Sequence, residues 1–360
     1  MHEVIITSAD TNRRLDKFLF MYLNNAPHSF IYKLLRKKRI KLNGKRAQGG
    51  ELLQAGDSLE FYLSHATLAG CRTLHSVDDI VMTAKDACET AHIEPSSSSA
   101  TRNTGISAPS GGLCDVIPLD IIFEDEHLLV VNKPAGIPSH GGMKGKTTHL
   151  LAQILQYLRQ TGSYPPDATF TPALCNRLDV NTSGLVLCGK NYQAIRAVNT
   201  LLANASGIDK EYLAVVDGEL HGNAILNGIY NKDSATNIAS VTNTSLVADI
   251  VDIANTSNTA QVITAYKSLA VKNGRSLLSV SPITGRSHQI RAHLAAIGHP
   301  LSGDKKYGGK PISYSNAQLL HCRHITLSET NNLPYTNGIS WSADPPENFK
   351  RCLHELFDFM

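Results

Sequence analysis

The sequence predicts an α+β protein of two domains, and three observations support this. The chain has 360 residues, more than the ~150 typical of a single domain. Near the N-terminus a helical pattern precedes a hairpin signal, and after residue 116 short apolar strand-like runs alternate with helical patterns. Residues 65–115 between them are rich in turn and linker residues. We therefore predict domains at 1–64 and 116–360, joined by a flexible linker at 65–115.

The composition is that of a globular protein, with 42% hydrophobic and 18% charged residues. No apolar run approaches the roughly 20 residues that span a bilayer, and the start lacks the pattern of a secretory signal. The seven cysteines are an odd number without Cys-x-x-Cys spacing, so neither a disulfide framework nor a structural zinc site is indicated. We expect a cytoplasmic protein with reduced thiols.

Positive charge is concentrated at the N-terminus. Residues 1–65 contain 11 Lys and Arg against 6 Asp and Glu, a net charge of +5. Residues 66–115 contain 3 against 6, and the remaining residues contain 20 against 19, which gives −3 and +1. A basic face on a small module indicates a polyphosphate partner.

The N-terminal module combines two predicted helices with a hairpin. Leu15, Phe18, Leu19 and Tyr22 have the spacing of one buried helical face. Ser29 is the expected N-cap of a second helix over residues 30–38, and Asn43-Gly44 predicts a tight hairpin turn. Residues 30–50 contain eight basic residues and no acidic one. A charge run is commonly only a solvated face, but the absence of acids favours RNA binding.

This order of elements resembles the S4 RNA-binding domain, an αL-type module, over residues 10–64. The matching stretches are residues 14–19, 29–38, 40–45 and 53–59. The resemblance implies that basic side chains contact RNA phosphates, which gives affinity but little sequence information. The candidate contacts are Arg14, Lys33, Arg36, Lys37, Lys38 and Lys41.

Residues 176–187 are the central motif of the larger domain. Asp179 lies between Arg177 and a polar turn, and an apolar run follows at residues 185–187. Taken alone, an ordinary turn before a strand explains this pattern. Three further stretches accompany it. They are a strand pair ending in a proline-rich loop at 122–138, a strand at 210–216, and residues 282–309, where Thr284 or Ser287 is expected to cap a helix.

Together the four stretches resemble the RluA family of pseudouridine synthases over residues 116–325. The resemblance implies a catalytic domain with a mixed, mostly antiparallel sheet and a central cleft that carries Asp179. The N-terminal S4 module is typical of the members that act on large-subunit ribosomal RNA. The helix at residues 30–38 is most similar to the RluC branch.

The resemblance also implies roles for individual residues. Asp179 would be the catalytic carboxylate that promotes cleavage of the uridine N1–C1′ bond, after which the base turns and C5 bonds to C1′. A carboxylate can stabilise or capture the positive charge that develops on the sugar. Arg291 would keep Asp179 ionised against desolvation. Tyr212 would stack on the base and serve a proton transfer, and Arg177 would fill the gap left by the flipped base.

Simpler interpretations remain open for each residue. Tyr212 could be a core tyrosine, Arg291 a structural pair, and Arg177 a phosphate contact only. Asn176 occupies a position where the family more often has histidine. We expect the loop to be maintained there, whereas the detail of the RNA contact is left open.

Neither a metal nor a nucleotide cofactor is expected. His288, His293, His299, His321 and His324 lack carboxylate or thiolate partners at ligand spacing. No glycine-rich loop follows a strand and opens a helix, so the phosphate-binding signature is missing.

The resulting hypothesis is a monomeric, cofactor-independent pseudouridine synthase acting on uridines of 23S ribosomal RNA. One alternative is a non-catalytic RNA-binding or ribosome-assembly factor on the same scaffold. Another is glycoside hydrolysis, which needs a second carboxylate. Glu211 is the candidate, although strand alternation directs it away from the face of Tyr212. The sequence does not identify the target uridines, the assembly state of the RNA substrate, or the roles of the linker and the Asn-rich residues 223–260.

Overall fold

The computed structural model describes residues 1–71, 119–141, 149–165, 168–204, 207–233, 236–246, 259–328, 333 and 338–358. Most of the predicted linker and part of the Asn-rich region lie outside these residues. The described chain forms an α+β protein with a small and a large sheet, which confirms the predicted fold class. None of its described helices is long and apolar enough to cross a membrane.

The N-terminal module is a four-stranded antiparallel sheet covered by helices. The strand order is β1-β4-β2-β3. The strands are β1 (His2–Ile5), β2 (Ile40–Leu42), β3 (Lys45–Arg46) and β4 (Ser58–Phe61), and the helices are α1 (Leu15–Tyr22), α2 (His28–Arg36) and α3 (His65–Gly70). The predicted apolar face of α1 is confirmed, since Leu15, Phe18, Leu19 and Tyr22 are all buried.

Two local predictions in this module have different outcomes. The Asn43-Gly44 turn is confirmed, with φ of 51° and 73°, as a type I′ hairpin requires. The Ser29 cap is wrong, because α2 already begins at His28 and Pro27 is its N-cap. Proline is favoured at a helix start because it lacks the N–H that would be left unpaired there.

The larger domain is built on an eleven-stranded sheet with four described helices around it. Along the main path the order is β11-β10-β12-β13-β9-β14-β8-β6-β5, and only β8 and β14 pair in parallel among the described strands. The strands are β5 (Ile121–Glu124), β6 (Leu128–Lys133), β7 (Ala173–Leu174), β8 (Ser183–Gly189), β9 (Ile208–Asp217), β10 (Asn223–Asp233), β11 (Ile238–Leu246), β12 (Thr259–Lys272), β13 (Arg275–Pro282), β14 (Leu320–Leu327) and β15 (Ile339–Ser342). The helices are α4 (Leu150–Gln160), α5 (Tyr192–Ala203), α6 (Gln289–Ala296) and α7 (Glu347–Phe357).

Strand β9 lies near the centre of this sheet and is buried on both faces over its second half, as predicted. Tyr212 and Ala214 point into the main core, whereas Leu213 and Val215 pack in a second core with α7. Tyr212 is opposite Val280 of β13 and Cys322 of β14. The register therefore places the Tyr212 ring in the middle of the sheet, away from its edges.

A buried polar contact joins the two domains. Asp10 is fully buried and accepts hydrogen bonds from Arg13, with an Nη1–Oδ1 distance of 3.0 Å, and from the hydroxyl of Thr169. Burial raises the pKa of Asp10, although Thr169 and Arg13 oppose the shift. The Arg13 guanidinium also lies 4.9 Å from the centre of the Tyr192 ring. These contacts hold the basic module against the domain that carries Asp179.

Candidate active site

Asp179 lies in a loop between β7 and β8, and the side chain of Asn176 fastens this loop to β8. Asn176 Oδ1 accepts from the backbone N–H of Leu187 at 2.8 Å, and Nδ2 donates to the carbonyl of Leu185 at 3.2 Å. An amide carries both a donor and an acceptor, so one side chain satisfies two strand groups. The departure from histidine at this position therefore leaves the loop anchored.

Lys133 fastens the other side of the same loop. Its buried ammonium donates to the carbonyls of Pro134 and Ile137, both at 2.9 Å, and to that of Val180 at 3.1 Å. The proline-rich loop after β6 and the residue that follows Asp179 are thereby joined. Sequence reasoning missed Lys133, whose signal was a lysine at the end of a strand that begins with four apolar residues.

Arg291 on α6 forms a buried bridge between two aspartates. Its Nη1 donates to Asp179 Oδ2 at 2.9 Å, while its Nε and Nη2 donate to the two oxygens of Asp304 at 2.7 and 2.9 Å. Burial works against the charge, but Asp304 and then Asp179 outweigh it and raise the pKa of Arg291 above its ordinary value. The guanidinium is therefore a permanent cation, held in a fixed orientation by a bidentate pair.

One oxygen of Asp179 remains available for chemistry. The side chain is 25% exposed, and the two side chains that approach its carboxylate both face Oδ2. These are Arg291 and, at 3.7 Å, the Nε2 atom of His288. No described residue donates a hydrogen bond to Oδ1. A substrate atom that reaches this half-buried side chain could thus meet Oδ1 without displacing a contact from the described residues.

Tyr212 is a buried, neutral phenol in the main core. Burial, followed by the neighbouring Cys322 thiol and Asp179, raises the pKa of Tyr212 well above its ordinary value. The ring belongs to the main core, opposite Cys322 of β14. The structure therefore joins Asp179 directly to Arg291, whereas the catalytic role of Tyr212 stays a prediction.

The candidate RNA contacts occupy different environments. Arg177 is exposed and lies two positions before Asp179. Burial of His140 lowers the pKa of that histidine, and the charge of Arg177 lowers it further.

The candidate contacts of the N-terminal module are mostly exposed. Those on or just after α2 are Lys33, Arg36, Lys37 and Lys38. Lys41 lies 4.8 Å from the centre of the Tyr62 ring. Arg14 is exposed but makes a bidentate pair with Asp16, at 2.9 and 3.2 Å. RNA binding by these residues stays a prediction.

The N-terminus of α6 differs from the prediction. Neither Thr284 nor Ser287 caps it, because His288 occupies the N-cap position in the left-handed conformation, with φ of 57°. Thr284 instead accepts from the backbone N–H of Ile263 and donates to Gln289. The strand hydrogen bond competes for the threonine hydroxyl, which is why the capping rule failed here.

The other histidines make structural hydrogen bonds. His293 contacts the hydroxyl of Thr264, His299 the carbonyl of Asp217, His321 both Ser183 and the carbonyl of Ala343, and His324 the hydroxyl of Ser342. Within the described ranges, no three His, Cys, Asp or Glu side chains form a group that could hold a metal ion.

The carboxylate nearest to the Asp179–Arg291 pair is Asp304, not Glu211. Glu211 precedes Tyr212 on β9 and therefore points to the opposite face of the sheet. Asp304 was missed in the sequence because its only local signal is an aspartate in a glycine-rich loop. Both Asp304 oxygens accept from Arg291, so this carboxylate is committed to orienting the guanidinium.

Comparisons with known proteins identify the two domains that carry these residues. The chain matches the RNA pseudouridylate synthase family over residues 127–296 and the S4 domain over residues 13–59. It is 28% identical to ribosomal large subunit pseudouridine synthase C of Escherichia coli K12, over 98% of this chain and 96% of that protein. The protein of the same name from Vibrio vulnificus is 29% identical, over 88% and 85%.

A solved structure shows the same fold. The structure titled human RNA pseudouridylate synthase domain containing 4 superposes with a TM-score of 0.51 at 21% identity, covering 66% of this chain and 93% of that one.

Proposed function

This chain belongs to the RNA pseudouridylate synthase family and carries an S4 domain, and we propose that it converts specific uridines of 23S ribosomal RNA to pseudouridine. The relatives named for the large ribosomal subunit match nearly the whole chain, including the basic module, and this supports the choice of substrate. The enzyme is an isomerase, because pseudouridine has the same atoms as uridine.

The observation that carries the proposal is the geometry of Asp179. Arg291 neutralises and orients Oδ2 at 2.9 Å, while Oδ1 accepts no hydrogen bond from the described residues. Cleavage of the N1–C1′ bond develops positive charge at C1′, which an ionised carboxylate stabilises or captures. Arg291 is already oriented by Asp304 before substrate binds, so little reorganisation is needed during the reaction.

The reaction needs only an exchange of bonds within one nucleotide. The N1–C1′ bond breaks, the freed base turns in the cleft, and a C5–C1′ bond forms. C5 then loses its hydrogen as a proton, and N1 ends with a proton. We assign to Tyr212 the support of the base and, as a neutral phenol, a part in the proton transfers. Arg177, exposed beside the loop, is placed to occupy the stack after the base flips out.

The proposal includes a monomer that acts without cofactor, in the cytoplasm. The non-catalytic alternative is not favoured, because Asp179 is present and bonded to Arg291, and the relatives that match nearly the whole chain are named as pseudouridine synthases. The hydrolytic alternative requires a carboxylate free to activate water or protonate a leaving group. Asp304 is the carboxylate nearest to the Asp179–Arg291 pair, and it is occupied by Arg291.

Tritium release from RNA labelled at uridine C5 tests this function. We expect wild type to release tritium from unmodified 23S RNA, and Asp179→Asn to be slower by about 10⁴-fold or more, the scale of losing a covalent catalyst. Asp344→Asn is the matched control, since its side chain is 86% exposed and pairs with Lys350. Equal rates for wild type and Asp179→Asn would overturn the mechanism. RNA binding without any release by wild type would favour the non-catalytic factor.

A further inference from the structure

We infer that His288 is a positioning residue for Asp179, directed at Oδ2 by a hydrogen bond from Tyr307. The inference rests on the proposed function and adds a residue to it. His288 Nε2 lies 3.7 Å from Asp179 Oδ2, and His288 Nδ1 lies 3.0 Å from the Tyr307 hydroxyl. The imidazole therefore stands between the reactive carboxylate and the loop that contains Asp304 and Tyr307.

The hydrogen-bond pattern favours one position for the proton of the neutral ring. The Tyr307 oxygen already accepts from the backbone N–H of Ala239 at 2.9 Å, which favours donation of its own hydrogen over acceptance of a second hydrogen bond. Among the described residues, His288 Nδ1 is the acceptor within its reach. A neutral imidazole that accepts at Nδ1 carries its hydrogen at Nε2. That nitrogen is the one that lies 3.7 Å from Asp179 Oδ2, an electrostatic contact beyond direct hydrogen-bond distance.

The backbone of His288 supports a functional position. It is the N-cap of α6 and has φ of 57°, a left-handed conformation that residues other than glycine adopt uncommonly. Tyr230 holds the preceding peptide through a hydrogen bond to the carbonyl of Ser287 at 3.0 Å. Local strain of this kind concentrates at functional sites, where surrounding contacts maintain it.

The charged groups around the ring favour its neutral form. Burial lowers the pKa of His288, and Arg291, Lys306 and Lys232 act in the same direction, while Asp179 opposes them. Tyr307, whose pKa is raised by burial, faces the other nitrogen as a neutral phenol. The Nε2–H thus places a partial positive charge 3.7 Å from Oδ2 without adding a second full charge, and it leaves Oδ1 to the substrate.

The position of Tyr307 depends in turn on the β10–β11 hairpin. Ala239 belongs to β11, and neighbouring Lys306 donates to the carbonyls of Thr236 and Asn237 in the hairpin turn, at 3.4 and 2.7 Å. If the hairpin left this loop, Tyr307 would lose the bond that directs its hydrogen to His288. Docking of the hairpin therefore sets the imidazole tautomer. This gives a role to part of the Asn-rich region.

His288→Asn separates the proposed role from a structural one. Asparagine tolerates the left-handed conformation and places its amide oxygen near the position of Nδ1, so the bond from Tyr307 can persist. It lacks the Nε2–H. We expect kcat for tritium release to fall about tenfold at neutral pH with KM unchanged, a loss typical of removing an orienting partner.

The pH profile gives the decisive readout. In wild type, protonation places a second cation beside Asp179 and stops Nδ1 from accepting, so kcat should fall as pH drops through a His288 pKa that lies below its ordinary value. In His288→Asn this acid limb should shift to lower pH. His324→Asn, which changes a half-buried histidine bonded to Ser342 at the pair of β14 and β15, should keep the wild-type profile and serves as the control.

Tyr307→Phe tests the link from the other side. Phenylalanine keeps the ring that lies 4.9 Å from the Arg291 guanidinium but cannot donate to His288. We expect a kcat loss no larger than that of His288→Asn, and a double variant less impaired than the product of the two losses. Wild-type kcat and acid limb in His288→Asn, or full additivity, would overturn the inference. Because wild type and Asp179→Asn are measured alongside, such a result would leave the proposed function intact.

Discussion

The face of α2 and the proposed catalytic cleft around Asp179 use the same type of side chain in opposite environments. On α2, Lys33 and Arg36 are exposed, and neither has a carboxylate within 4.0 Å in the described part of the chain. In the cleft, Arg291 is buried and bonded to two aspartates. Exposed charges attract a polyanion through long-range electrostatic forces, and added salt screens these forces. A buried pair is protected from salt and fixes one geometry.

This difference predicts that binding and chemistry are separable. Substitutions on α2 should weaken RNA binding in a salt-dependent way and leave kcat unchanged. Substitutions in the cleft should lower kcat and leave the salt dependence unchanged. The predictions below test this separation in order of decreasing effect.

Among the substitutions compared below, at Arg291, on α2 and at Asn176, we expect Arg291→Lys to have the largest effect. Lysine retains the charge but is a point donor, so it cannot hold Asp304 through two bonds and reach Asp179 in a fixed direction. We expect kcat to fall by about 10²-fold, the scale of losing one preorganised electrostatic contact. Single-turnover tritium release measures this loss, and the slope of log KM against log salt should be unchanged.

Arg275→Lys provides the matched control for stability. Arg275 pairs with the buried Asp217 at 3.3 Å in the same domain, and neither residue contacts Asp179. Both variants should lower the thermal unfolding midpoint, but Arg275→Lys should keep wild-type kcat. A similar loss of kcat in the two would mean that Arg291 acts through stability alone.

Removing the exposed charges of α2 should have an intermediate effect. In the double variant Lys33→Gln with Arg36→Gln, we expect KM to rise and the salt slope to decrease by about 1.4, at roughly 0.7 for each phosphate contact on single-stranded RNA. The reason is that fewer counterions are released on binding. Activity measured over a series of salt concentrations gives both quantities.

The paired control is Lys350→Gln with Arg351→Gln on α7. This helix packs on the face of β9 opposite to Tyr212, so the pair removes one lysine and one arginine from the far side of the sheet. The salt slope should stay at its wild-type value. If both double variants changed the slope equally, RNA binding would depend on net charge and not on α2.

The sequence was sufficient for some features because their signals are local. Hydrophobic spacing located α1 and β9, the Asn43-Gly44 dipeptide located a hairpin, and the residues around Asp179 carried the family resemblance. The exact helix starts were wrong because a cap depends on which backbone group competes for the side chain. That competition is decided by tertiary contacts.

The missed residues have partners that are distant in the sequence or across a turn. Lys133 bonds Val180, 47 positions away, and Asp304 bonds Arg291, 13 positions away. His288 appeared in the sequence only as a metal candidate, because its bond to Tyr307 and its left-handed backbone have no local pattern. Such contacts form only when the chain has folded, so the spacing of residues in a single sequence does not reveal them.

Asn176→His should have the smallest effect, although it restores the residue more common in the family. In the asparagine amide an acceptor oxygen and a donor nitrogen are joined through one carbon. In neutral imidazole an acceptor nitrogen and a donor N–H are likewise joined through one carbon, so the ring can accept from Leu187 N–H and donate to the Leu185 carbonyl, as Asn176 does. We expect an unchanged kcat and an unfolding free energy within about 1 kcal/mol of wild type, the net value of one hydrogen bond.

Lowering the pH should reveal the difference between the two side chains. Imidazolium cannot accept from Leu187, so the stability of Asn176→His relative to wild type should decrease as pH falls through about 6.5, the ordinary histidine pKa. Asn176→Leu, which removes both bonds, should be destabilised at every pH, by about 1–3 kcal/mol for each unpaired group that is buried. Thermal unfolding at pH 8 and pH 5.5 compares the three proteins. A lower kcat in Asn176→His at pH 8 with unchanged stability would instead show that position 176 contacts the RNA directly, which would make it part of the chemistry of the cleft.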